Sequence, residues 1–341
     1  MFLRLFQIAI LVAIIIGIFN TVQAGRYPSA AWATLVFAGL AQGSIYALIA
    51  LGYTLVYGIL LMINFAHGEI YMAGAFTVVF VANYFADSGF LAANPVLSIL
   101  IWIVIAAVVS IAIAVLLERV AYRPLRDAPR LVPLITAIGA SFALQYTFRG
   151  LYGAEFRAYP EVAFLKAKVS ILGFNVPLVQ PVVFFAAVLL MIILDIFIER
   201  TKQGKAMRAV SEDKDVSRLM GIDTDKVIVT TFAIGGALAG AAGIFNGLFR
   251  PVGVFFFMGF FPGLKAFTAA VLGGIGNVRG AFVGGLLLGL IESVFPILIL
   301  EGLGIPSANQ LRDAFAFTML VLILIFRPQG IFGERLAEKK A

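Results

Sequence analysis

VLSILIWIVIAAVVSIAIAVLL, residues 96–117, carries no charged side chain. An α-helix needs about 20 predominantly apolar residues to cross the hydrocarbon of a bilayer, so this stretch is long enough to do so alone. Comparable runs lie on either side, at 5–24, 32–57, 66–86, 131–149, 181–198, 227–249, 255–275, 280–300 and 312–326. None shows the two-residue alternation of a membrane strand, and only helices and closed barrels satisfy their backbone in lipid. The expected fold is an all-α polytopic membrane protein of about ten transmembrane helices.

Composition agrees. Hydrophobic residues make up 62% of the 341 and charged residues 13%, with a mean hydropathy of +1.04. There is no cysteine, which removes disulfides, cysteine-ligated metals and thiol catalysis. A single histidine leaves no evident multi-histidine metal site. Paired aspartates, or a Ser/His pair in adjacent spans, are also missing, so an intramembrane enzyme is not indicated. No catalytic residue, metal site or cofactor is therefore expected. The net charge of +7 reads as Lys and Arg collected in loops beside membrane lipid, not as a nucleic-acid footprint.

Those loops orient the chain. With both termini cytoplasmic, most of the 25 basic residues fall on the inner side. The outer side holds Arg26, Arg149, Arg157, Lys166, Lys168, Arg250 and Arg312, while Lys265 falls inside a span. The outer loop 150–180 is the weakest point of this bias. Residues 1–30 form a separate apolar segment. Its basic start and Val22-Gln23-Ala24 resemble a cleavable signal; an uncleaved first span is the preferred reading, and cleavage would leave later spans unchanged. A single membrane domain is expected over 31–330 and a charged cytoplasmic tail over 331–341.

The longest polar stretch is ERTKQGKAMRAVSEDKDVSRLMGIDTDKV, 199–227, with seven basic and six acidic residues. Between Lys205 and Met220 good helix formers place Ala206, Ala209, Val210, Val216, Leu219 and Met220 roughly on one face, and Gly221 follows as a stop. Such a helix lies on the membrane or docks a cytoplasmic partner. Gly204-Lys205 is no phosphate loop: the earlier glycine is missing and Ala206 stands where Ser or Thr would meet magnesium. If ATP drives this protein, another chain hydrolyses it.

The remaining signal is polar residues at membrane depth. MINFAHGEIYMAGAF, 62–76, groups Asn64, the lone His67 and Glu69 between two apolar runs. They could cap a helix, form a buried cluster, or border a transport path. The hypothesis is a gate-like polar hinge of His67 and Glu69. Gln42, Ser44, Tyr53, Gln145, Asn246, Thr268 and Glu292 complete the candidate path or gate. Most such residues are expected to be interhelical hydrogen-bond partners, with a few lining the route. The glycine-rich AAVLGGIGNVRGAFVGG, 269–285, reads as tight helix packing around a short turn at Gly276–Arg279.

Several segments together resemble a known family. GSIYALIALGYTLVYGILLMINFAHGEIYMAGAF (43–76), ERVAYRPLR (118–126), LITAIGASFALQ (134–145), GKAMRAVSEDKDVSRLMGIDTDKVI (204–228) and LKAFTAAVLGGIGNVRGAFVGGLLLG (264–289) are similar to the LivH permeases of bacterial high-affinity branched-chain amino acid ABC transporters. The likeness spans roughly 36–332, leaving 1–30 outside it. It implies a heterodimer with a LivM-like second permease, two cytoplasmic ATP-binding subunits that alone bind ATP, and a periplasmic amino acid-binding protein. It also implies a coupling helix between spans six and seven, carrying Gly204, Arg208, Ala209, Glu212, Gly221 and Asp223. Urea and amide importers share the wider superfamily. A lone carrier using Glu69 or Glu292 as its ion site would not require the cytoplasmic helix.

Overall fold

The computed structural model describes residues 2–333 apart from 127, 130, 251, 252, 306, 307 and 328. Most of the tail expected over 331–341 lies outside the described residues. In chain order the helices are α1 Phe2–Ala24, α2 Ser29–Leu60, α3 His67–Asp87, the single turn α4 Phe90–Ala93, α5 Pro95–Leu117, α6 Leu131–Tyr152 and α7 Val179–Arg200. Then follow α8 Lys202–Glu212, α9 Lys214–Leu219, α10 Thr224–Phe249, α11 Phe260–Gly273, α12 Val278–Phe295 and α13 Arg312–Phe326. A small hairpin, β1 Lys168–Ile171 with β2 Phe174–Pro177, decorates the loop after α6.

Seven helices among the described residues are long and apolar enough to cross a membrane, so the chain is a polytopic membrane protein. Those built on α5, α6 and α7 turn rows such as Val104, Val108, Leu189 and Ile193 outward. α2 is the opposite case: nearly every residue from Ala41 to Val56 is buried. The expected run 255–275 is helical only over the 14 residues of α11. Phe255 to Gly259 instead approach α11 as irregular chain, because Gly259 lies backbone-to-backbone on Gly68.

Lipid offers no hydrophobic drive between helices, so close approach through small residues has to supply contact. α2 and α12 cross antiparallel through Gly39 and Gly43 against Gly285 and Gly289. A Cβ at Gly289 would stand 2.3 Å from Gly43 Cα, and one at Gly285 2.4 Å from Ala47 Cα. α10 repeats the device on two sides. Gly240 meets the Ala106 carbonyl of α5 and Gly243 the Tyr71 carbonyl of α3. The turn Gly274–Asn277 ends α11, and Asn277 Oδ1 then caps α12 by accepting from Gly280 N at 2.9 Å. Tight packing around a short turn is thus what the 269–285 glycines provide.

α1 docks on the irregular helical turn Pro296–Glu301 that extends α12. Gly17 faces the Ile299 carbonyl, Asn20 Nδ2 donates to Gly302 O at 3.0 Å and Tyr27 OH to Glu301 at 2.6 Å.

Ion pairs concentrate at the end of the bundle carrying α8 and α9. α5 continues through a π turn, Glu118–Tyr122, into Arg123–Leu125. There Arg126 pairs with Glu118 and Asp225, and Arg123 with Asp225, tying α5 to the first turn of α10. Arg279 holds Asp195 through two bonds of 2.9 Å. At the other end arginines lie on rings: Arg157 is 4.7 Å from the Phe80 centroid and Arg149 5.3 Å from that of Phe256. These aromatic contacts, with Lys166 on Glu161, give Arg149, Arg157 and Lys166 local partners. The Glu118 side chain is fully buried. Removing its partner in Arg126→Ala is expected to lower stability by about 3–5 kcal/mol, because a carboxylate is left uncompensated. Thermal unfolding in nanodiscs checks this, and an unchanged midpoint would contradict it.

Candidate functional site

α2 ends at Leu61, a non-glycine residue in the left-handed region (φ 51°), whose N–H bonds Tyr57 O at 2.8 Å. The chain then folds back into the bundle before α3 begins. His67 shows how far: its Nε2 lies 2.0 Å from where a Cβ on Gly52 would be, and its Cε1 3.5 Å from one on Gly235. Gly52 is roughly 12 Å inside the end of α2 at the helical rise of ~1.5 Å per residue. The imidazole sits in a slot between α2 and α10, edge-on to Tyr53 at 5.1 Å, and Nε2 has no protein partner.

Asn64 does not cap α3. The N-cap is Ala66, without a side-chain bond. Asn64 Oδ1 accepts instead from Tyr122 OH at 2.6 Å, so the asparagine pins the returning loop to the π turn after α5. Glu69 occupies the first turn of α3. Its Oε1 accepts from Gln145 Nε2 at 2.8 Å and Ser141 Oγ at 3.2 Å, both on α6. Its Oε2 has no partner and faces Gly259, 2.7 Å from a Cβ placed there. The N-termini of α3 and α11 thus meet beside one buried carboxylate, a sign of charge that helix dipoles favour. His67 and Glu69 go to different neighbours, so the structure does not join them as a pair.

A second polar cluster lies further along α11. Lys265 Nζ donates to Glu292 Oε1 and Asp313 Oδ1, each at 2.6 Å, and to Tyr46 OH at 3.3 Å. Lys265, Glu292 and Asp313 border a cavity of about 430 Å³ that Gln42, Phe249, Arg250 and Arg312 also line. Gln42 and Glu292 are therefore brought together, as are Glu69 and Gln145, and Tyr53 and His67. Ser44 and Thr268 are not part of either cluster; each bonds back to its own helix, at Leu40 O and Leu264 O. Asn246 is half-buried on α10. The sequence reading left out Lys265, Asp313, Ser141 and Tyr122. Of these Lys265 had a signal: a lone cation inside an apolar run requires a partner.

The polar segment after α7 is two helices, not one. Asp213 interrupts it by accepting from Asp215 N and Val216 N, each at 2.9 Å, which caps α9. The expected single face divides accordingly. Val210 is buried with Met207, whereas Val216, Leu219 and Met220 are exposed, the last two by 86% and 77%. Gly204 is demanded by contact, since a Cβ would stand 2.3 Å from Ile198 O. Gly221 turns at φ 82°, and Asp223 caps α10 through Lys226 N at 3.0 Å. Ala209 is half-buried. Arg208 and Glu212 remain exposed, Arg208 donating to the Glu199 carbonyl at 3.3 Å.

Comparison with known proteins matches residues 35–324 to the family described as branched-chain amino acid transport system, permease component. The chain is 42% identical to the high-affinity branched-chain amino acid transport system permease protein BraD of Pseudomonas aeruginosa, over 88% of this chain and 95% of that protein. It is 39% identical to LivH of Escherichia coli, over 89% and 96%. To LivM of the same organism it is 24% identical, over 84% and 67%.

Proposed function

The chain belongs to the permease-component family of branched-chain amino acid transport systems, and from that premise we infer that it is the membrane-spanning subunit of an ATP-driven importer of leucine, isoleucine and valine. The near full-length likeness to BraD and LivH carries this reading. α1, α11 and α13 join the seven long helices to make ten membrane segments, of which α11 completes its crossing with the irregular chain before it. The end bearing α8 and α9 faces the cytoplasm of a bacterial inner membrane, with both termini on that side. The contacts of α1 on the extension of α12 support its retention in the working protein.

A LivM-like chain forms the other wall of the path, two cytoplasmic subunits bind ATP, and a periplasmic protein delivers the substrate. Coupling runs through Arg208, Glu212 and the exposed Leu219 and Met220, while Gly204, Ala209, Gly221 and Asp223 hold that surface in shape. Uptake of labelled leucine, against labelled urea, into proteoliposomes with ATP inside and the binding protein outside is the test. Leucine uptake that needs both is expected; urea uptake alone would move the substrate class.

Two substitutions probe the parts. Arg208→Glu reverses an exposed charge on α8. Because its charge pairs with no acidic group among the described residues, the change is expected to cut uptake about tenfold or more by weakening ATPase docking, with helix content unchanged by circular dichroism. Normal ATP-dependent uptake would remove Arg208 from the coupling surface. Glu69→Gln keeps the size of the side chain beside Gln145 and Ser141 but removes the charge between two helix N-termini. A loss of about tenfold in uptake at unchanged assembly is expected, the worth of ~1.4 kcal/mol. Unaltered uptake would leave Glu69 as packing only.

A further inference from the structure

We propose that the cavity between α2, α11, α12 and α13 holds the amino acid zwitterion in transit, with its ammonium on Glu292 and Gln42 and its carboxylate toward Arg250 and Arg312. This rests on the permease reading above and adds a site to it. The first argument is orphaned acceptors. Glu292 is 4% exposed and places Oε1 on Lys265, while Oε2 has no partner among the described residues. Gln42, 7% exposed on the same cavity, likewise leaves Oε1 without a partner among the described residues. Leaving a buried acceptor unmade is costly, and a protein this economical with polar groups places two on one cavity. Both call for a donor, and an ammonium brings three.

The second argument is the sign of the remaining charges. Lys265, Arg250 and Arg312 stand around the same space as Glu292 and Asp313. A bare cation would face three cations, and a bare anion would leave the two acceptors unmet. A neutral amide such as urea has no use for five charges. A zwitterion answers both signs at once, and guanidinium groups suit its carboxylate. The volume of about 430 Å³ falls within the ~300–1,000 Å³ of small-molecule sites. Phe249 and Ala38 supply apolar wall for an aliphatic side chain. Asp313 is 56% exposed on its side chain, so the site is open at one side, as a station on a route must be. α11 carries Lys265 here and Gly259-adjacent backbone at Glu69, which places the cavity next to the point where α3 and α11 meet.

The absence of native cysteine gives a direct test. Ala38→Cys puts one thiol on the cavity wall of this chain, in the complete transporter in nanodiscs. Its alkylation by a sulfonated maleimide is timed with leucine, with leucinol (no carboxylate) and with urea. Leucine is expected to slow labelling and the other two to do so far less. Glu292→Gln and, separately, Gln42→Leu, which leaves the Lys265 pairs intact, should each raise the leucine needed for half-protection about tenfold, the loss of one charge-assisted bond. Labelling indifferent to leucine, or protection that both variants retain, overturns the site. Uptake is assayed on the same preparations. Leucine uptake without protection refutes the cavity alone, whereas protection without ATP-dependent uptake refutes the importer and keeps the cavity.

Discussion

Gly289→Leu is expected to abolish the assembled bundle, with folded protein in fluorescence-detected size exclusion falling to background. A Cβ at this position would stand 2.3 Å from both Cα and N of Gly43 and 2.4 Å from Gly39 O. Every one of those atoms is backbone, so no rotamer change relieves the contact; α2 and α12 have to separate. Overpacking by side chains alone costs about 1–3 kcal/mol, and here the longest buried helix of the chain loses its main partner as well. Gly139→Leu supplies the control. Gly139 has open space around it on α6, with nothing within 4 Å of a Cβ. It should assemble like the parent. Equal yields from the two variants would refute the crossing as a determinant of the fold.

The contrast between those glycines marks what was readable in the sequence. Hydropathy placed the long helices because each needs only a sum over about 20 residues. It could not tell Gly139 from Gly289, since both are single glycines in apolar runs. Nor could it find the start of α11. Residues 255–259 are as apolar as the helix after them, and what keeps them irregular is contact with Gly68, far away in sequence. The break at Asp213 is different. An aspartate inside a run of helix formers is a strong N-cap type, so the division into α8 and α9 was legible, though weight on apolar periodicity hid it.

The polar sites divide in the same way. Glu69, Gln145, Gln42 and Glu292 were visible as ionisable or amide groups in lipid-length runs. Their pairing was not, because hydrogen bonds between α3 and α6 depend on how helices rotate about their axes. Asn64 illustrates the cost of local reasoning. Its type and place argued for a cap, and Tyr122, which takes its oxygen instead, sits on a turn 58 residues away.

Lys265→Met is expected to lower the unfolding midpoint of the complex on the same scale as Arg126→Ala. Lys265 is 5% exposed, and its ammonium directs bonds to Glu292, Asp313 and Tyr46. Without it Glu292 is a buried carboxylate that has lost its lysine partner, a situation that costs about 3–5 kcal/mol. Asp313 pairs with the same lysine, but its side chain is 56% exposed. Water takes over there, and Asp313→Asn should cost no more than about 1 kcal/mol. Removing both buried charges, in Lys265→Met with Glu292→Met, should recover most of the stability that the single change loses, because apolar pairs of similar size replace buried ion pairs at little cost. That double variant separates two roles of the cluster. If it regains the parental midpoint while leucine no longer protects a thiol at position 38, the charges are kept for the ligand and not for the fold. A single variant with an unchanged midpoint would instead mean that Glu292 finds water, and the lysine would lose its structural role.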